Sequence, residues 1–146
     1  MLYFNNMRKK KYEILEHKAD LKIRVFGKDK KEVFSNALLG MFEEARYKQI
    51  SNLKPQISKR KIKIKSQDSG SLLVDFLSEA LYLSEINQEV YRDIRFRKFN
   101  DKEIDGVLIG KKLKRIGVQI KGVTYHGLDI HQEKDGSFEA TILFDI

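Results

Sequence analysis

The sequence predicts an α+β domain, with two helices packed on a largely antiparallel (mixed) β-sheet in the order β-β-α-β-α and then several strands. Three observations carry that prediction. Two stretches repeat apolar residues at three- and four-residue spacing, each opened by an Asp placed to cap a helix. Most of the remaining chain alternates with period two, and the late segments are joined by short turn signals. A chain of 146 residues is long enough for one domain with a proper core.

Residues 1–11 read as a loose basic arm ahead of a domain over 12–146, and Met7 is an alternative start. The arm's apolar part is too short for a signal-peptide core and precedes its basic part. Residues 12–16 and 21–27 read as strands, the second alternating Leu21, Ile23 and Val25 with Lys22, Arg24 and Phe26. His17-Lys18-Ala19-Asp20 joins them, either as a plain turn or as a place where His17 and Asp20 are presented together. Asp29 with Glu32 resembles a capping box, and Phe34, Ala37, Leu38, Met41, Phe42 and Ala45 form the apolar stripe of the helix it opens.

Lys54-Pro55 closes that unit, and residues 58–66 form the next strand. Lys59, Lys61, Lys63 and Lys65 fall on one of its faces, Ile62 and Ile64 on the other. Four like charges in a row repel, so that face is solvated or meets an anion; lysine protection of an edge strand and contact with phosphate both account for it. Asp68 opens the second helix, which buries Leu73, Phe76, Leu77, Ala80 and Leu81. Asp75, Glu79 and Tyr82 share another face, read either as surface acidity or as acids with a cationic neighbour. Strands are expected at 93–99, 107–113, 118–126, 128–133 and 138–146, with hairpin turns at Asn100-Asp101-Lys102 and Lys134-Asp135-Gly136.

Composition narrows function without naming one. With 29 Lys and Arg against 21 Asp and Glu the net charge is +8, a field that attracts polyanions. The chain has no cysteine, which excludes disulfides, thiolate zinc sites and a cysteine nucleophile and fits a reducing, cytoplasmic setting. The apolar run at 72–83 is broken by Asp75 and Glu79, so no membrane span is expected. No phosphate loop, dinucleotide fingerprint, HExxH or GxSxG occurs. What remains is a set of polar residues at strand ends: His17 and Asp20, Lys121 with Thr124-Tyr125-His126, and Asp145 beside Ile146. Asp145, the carboxylate following Ile146 and a further acid such as Asp20 would make an all-oxygen cluster suited to a hard divalent cation.

Four blocks in order, Tyr12 to Asp20, Leu72 to Leu83, Lys121 to His126 and Phe144-Asp145-Ile146, resemble the archease family over residues 12–146. The resemblance implies an accessory protein, not itself an enzyme, that activates an RtcB-type RNA ligase in tRNA splicing and RNA repair by promoting guanylylation of the ligase and its repeated turnover. It implies a divalent metal, Ca²⁺ ahead of Mg²⁺ or Mn²⁺, on Asp20, Asp145 and the carboxylate of Ile146, with no organic cofactor. It makes Lys121 functionally required and includes His17 and His126 in the matched motifs without assigning them a role; a hydrogen-bonding histidine that orders the site is the reading favoured over a catalytic one. Partners implied are the ligase and, through the complex, tRNA or other RNA, with no membrane. Two departures from the family pattern stand out. Lys18 replaces the usual Thr and would neutralise Asp20 or pair with it. Gly110-Lys111-Lys112 takes the place of a Gly-Glu element, and no histidine follows before His126. Two rival readings are a basic RNA-binding module using Lys59 to Lys65 with Arg92, Arg95 and Arg97, and a general protein chaperone.

Overall fold

The computed structural model describes residues 10–17, 19–45, 47, 56–113 and 120–146, with the side chains of His17 and His126 outside that description. Strands β1 (Tyr12–His17) and β2 (Asp20–Gly27) lead into helix α1 (Lys30–Ala45). Strand β3 (Ile57–Lys65) leads into helix α2 (Ser69–Asn87), and β4 (Glu89–Phe99), β5 (Glu103–Lys112), β6 (Gly122–Gln132) and β7 (Phe138–Asp145) complete the order. The expected Lys54-Pro55 break and most of the basic arm lie outside the described residues.

Both helices start where the sequence places them. The Glu32 amide donates to Asp29 Oδ1 at 2.9 Å, while Glu32 Oε1 accepts from the Lys28 amide at 3.0 Å. The reciprocal arrangement satisfies two amides at the helix start, with the acid reaching one residue further back than in the usual box. Asp68 caps α2 by accepting from the Ser71 amide at 2.7 Å. That helix ends at Gln88, whose left-handed backbone (φ 55°) turns the chain straight into β4. The turn is why β4 starts at Glu89, well before the expected residue 93.

The α+β class holds, but the strands divide between two sheets, β1-β2-β7-β6 and β3-β5-β4, and each described pairing is antiparallel. The helices explain the division. Helix α1 buries Val33, Asn36 and Gly40 beyond its expected stripe, a face too broad for one sheet to cover. It touches β2 in the first sheet and β4 in the second, and α2 likewise touches β6 and β4. Phe34 carries the junction, with its ring 5.7 Å from that of Phe76 on α2 and 5.1 Å, edge-on, from that of Phe99 on β4. Gly40 lets α1 approach β1, since a Cβ there would meet the Tyr12 ring at 3.1 Å.

One buried charge ties β3 to β4. Glu89, its side chain 1% exposed, accepts from Arg60 Nε at 2.7 Å, from Arg60 Nη2 at 3.0 Å and from the Tyr91 hydroxyl at 2.6 Å. Burial pulls its carboxyl up, but these donors and the Arg60 charge outweigh burial and hold it below the ordinary value.

Two strand boundaries depart from expectation. The strands expected at 118–126 and 128–133 are one strand, β6, beginning at Gly122. Gly127 lies inside an irregularity that sets Thr124 to Asp129 against only Leu143 to Thr141 of β7, so the glycine marks a bulge and not a break. Residues 114–119 lie outside the described residues. No described helix is long and apolar enough to cross a membrane.

Candidate functional site

In β2 and β7 every second residue is buried: Leu21, Ile23 and Val25 in one, Ala140, Ile142 and Phe144 in the other. The residues between them face outward, away from the helices. The register runs from Gly27 opposite Phe138 to Asp20 opposite Asp145. Antiparallel pairing thus sets the first residue of β2 beside the last of β7 on the open face.

Strand β6 completes that corner by pairing Gly122 with Asp145. With no side chain on Gly122, Asp145 has room, and its Oδ2 lies 4.0 Å from where a Cβ would sit. The Lys121 amide donates to the Asp145 carbonyl at 2.7 Å, so the backbone of this exposed lysine is tied to the same corner. Ile146 packs its side chain against the core, on the opposite face from Asp145. Asp20, Asp145 and Lys121, far apart in sequence, therefore meet at one sheet end.

Directly opposed residues of neighbouring strands carry Cβ atoms about 4.5–5.5 Å apart, a spacing at which like charges destabilise. Neither Asp20 nor Asp145 has a cationic or hydrogen-bonding side-chain partner among the described residues. Two opposed carboxylates on an open face fit a hard divalent cation, which takes oxygen ligands and tolerates water in its remaining positions. They supply two side chains and not three. The set of His, Asp and Glu ligand atoms found mutually within 4.8 Å among the described residues is elsewhere, at His131, Glu133 and Glu139.

That second cluster was not singled out in the sequence. His131 Nδ1 lies 2.7 Å from Asp129 Oδ2, and its Nε2 lies 2.7 Å from Glu133 Oε1 and 3.3 Å from Glu139 Oε2. Hydrogen bonds to Glu133 and Asp129 raise the imidazole above its ordinary value. Burial and the neighbouring Glu133 raise the Glu139 carboxyl. The i, i+2 spacing of Asp129, His131 and Glu133 was a readable signal for one strand face, whereas Glu139 arrives only through β6–β7 pairing.

Other expected residues fall out as follows. His17 ends β1 opposite Leu21, close in backbone to Asp20, but its side chain and that of His126 lie outside the described residues, as does Lys18. Gly110-Lys111-Lys112 belongs to β5, in the other sheet from the carboxylate pair. Lys59, Lys61, Lys63, Lys65, Arg95 and Arg97 also lie in that other sheet, so the basic rows do not join the Asp20–Asp145 corner. Among the described residues Asp75 meets hydroxyls: Ser66 Oγ donates to it at 2.5 Å and the Tyr125 hydroxyl also donates to it.

Comparison with known proteins decides what carries this corner. The model of the Archease protein family matches residues 12–146. This chain belongs to the archease family. The protein archease of Methanosarcina barkeri is 40% identical over 94% of this chain and 97% of its own length. That of Methanosarcina acetivorans is 37% identical over the same shares. Among solved structures, protein 1598 of Methanobacterium thermoautotrophicum superposes with a TM-score of 0.66 at 29% identity, over 92% of this chain and 98% of that one. An archease of Thermotoga maritima, described as a possible chaperone, superposes with a TM-score of 0.62 at 19% identity, over 92% of this chain and 96% of its own, which bears on the fold alone.

Proposed function

We propose that this archease activates an RtcB-type RNA ligase in tRNA splicing and RNA repair, accelerating guanylylation of the ligase and supporting its repeated turnover. The observation that carries this reading is the meeting of Asp20, Asp145 and Lys121 at one open sheet corner in a chain of this family. In this reading the phosphoryl chemistry belongs to the ligase, and the corner supplies charge and position.

Asp20 and Asp145 would hold a divalent cation, Ca²⁺ ahead of Mg²⁺ or Mn²⁺, from one side. Such an ion supplies positive charge beside phosphate oxygens and relieves the repulsion between the two carboxylates. Lys121 extends from the same corner and offers an ammonium to the nucleotide phosphates, where charge builds during guanylyl transfer. The two acids are held by paired strands on both sides of β7, which fixes their spacing before any partner arrives.

The test is a guanylylation assay with the cognate ligase and GTP, with and without this protein, comparing wild type with Asp20→Ala, Lys121→Ala and Asp145→Ala. Acceleration by wild type and its loss in each variant is the expected outcome. No acceleration by wild type refutes the function, and three fully active variants refute the site. A general chaperone would instead suppress aggregation of unrelated proteins, with Asp145→Ala as effective as wild type.

A further inference from the structure

The three-stranded sheet has an outer face that the reading above does not use. Ile62, Ile94, Ile104 and Leu108 are buried on its inner side, so the residues between them in register point outward. Lys59, Lys61, Lys63 and Lys65 line β3, which is one edge, and Arg95 and Arg97 line β4, which is the other. Between the rows runs β5, with Val107 opposite both Lys61 and Arg95. Neighbouring strands lie about 4.8 Å apart, so the two rows flank a strip about 10 Å wide. Val107 and Ile109, half-buried despite facing outward, form its floor.

Of the acids on this face, Glu103 and Asp105 lie at one end and are paired, and Asp93 lies opposite Ile109, across β5 from Lys59. Glu103 has Lys98 at 2.7 Å and Lys65 at 3.8 Å, and Asp105 is paired with Arg97. Asp93 turns back to accept from the amide of Ile94. That leaves Lys59, Lys61, Lys63 and Arg95 with no carboxylate within 4.0 Å among the described residues. The lysines are exposed and repeat every second residue, about 6.6–6.8 Å apart along a straight line.

We infer that this face docks the phosphodiester backbone of single-stranded RNA. The inference deepens the activator reading by having the activator touch the ligase's substrate itself. A regular row of exposed point charges suits a polymer that carries one charge per repeating unit. Edge protection accounts for charge on either edge strand, β3 or β4, but does not require that both rows be basic and flank one strip. No aromatic side chain lies on the outer face among the described residues, so no base-stacking platform is present and contact is to backbone, independent of sequence.

The experiment measures binding of fluorescein-labelled 20-nucleotide oligouridylate to the full chain by anisotropy, from 50 to 300 mM KCl. Wild type is expected to bind with a steep salt dependence. The triple variant K59Q/K61Q/K63Q is expected to bind at least about tenfold more weakly at 50 mM KCl, with a log–log slope shallower by about 2, given about 0.7 per phosphate contact on single strands. Arg95→Gln, on a different strand, is expected to lower the slope by about 0.7. The control K28Q/K31Q/K134Q removes the same charge from exposed lysines elsewhere and is expected to keep the wild-type slope within about 0.5. Matching thermal melts establish that the variants are folded. Absence of RNA binding by wild type overturns the inference, as does equal weakening by the control, which would reduce the effect to net charge. RNA-free guanylylation separates the two readings. Retained acceleration by K59Q/K61Q/K63Q supports an RNA face, and lost acceleration overturns it in favour of a protein contact. Failure of wild type to accelerate refutes activation while leaving the RNA binding readable.

Discussion

Replacing Asp145 by Asn tests whether the Asp20–Asp145 corner is built against its own stability. The two side chains are opposed across β2 and β7 with no cationic side-chain partner among the described residues. At about 5 Å, two unit charges in water repel by about 0.8 kcal/mol, at the upper end of the roughly 0.2–1 kcal/mol typical of cross-strand pairs. Asn is nearly isosteric and Asp145 is exposed, so little packing is lost. Without divalent ions, Asp145→Asn should therefore be more stable than wild type by about 0.2–1 kcal/mol, a rise in Tm of about 1–4 °C for a domain of this size. With saturating Ca²⁺ the order should reverse. A cation bound at a hundredfold excess over its Kd stabilises wild type by about 2.7 kcal/mol, while the variant, short of one oxygen ligand charge, gains far less. Urea unfolding followed by circular dichroism, in EDTA and in Ca²⁺, measures both arms. An Asp145→Asn protein that is less stable than wild type in EDTA would refute the repulsion argument, and a wild type indifferent to Ca²⁺, Mg²⁺ and Mn²⁺ would refute the metal.

Two further outcomes follow from the packing. Glu89→Ala should cost about 1–3 kcal/mol in urea unfolding by stranding the buried Tyr91 hydroxyl, while Arg60 turns to water; Glu89→Gln, which keeps an acceptor, should cost less. His131 is held above its ordinary value of 6.5, so the stability it contributes is complete below that pH and is lost as pH rises through its folded value. The gap in Tm between wild type and His131→Gln should thus be widest between about pH 5 and 6.5 and narrow above it, and a gap constant to pH 9 would contradict the charged pairing with Asp129 and Glu133.

Local chemistry determined what could be read without the fold. Asp29 and Asp68 announce their helices because a cap acts within one turn, and the alternation of Leu21, Ile23 and Val25 or Lys59 to Lys65 is a property of each strand alone. Four short blocks likewise sufficed to suggest the family that the comparison then showed. Pairing decided the rest. Nothing near Asp20 states that Asp145 will lie opposite it, or that Glu139 will close on His131, because register is a relation between distant segments set by which faces the helices bury. The division into two sheets came from the same source. A helix whose buried face is too wide for one sheet needs a second, and that width is visible only once Val33, Asn36 and Gly40 of α1 are seen covered together with its main stripe. Residue types and spacings are carried by the chain, whereas the neighbour across a strand is chosen by the burial of the whole.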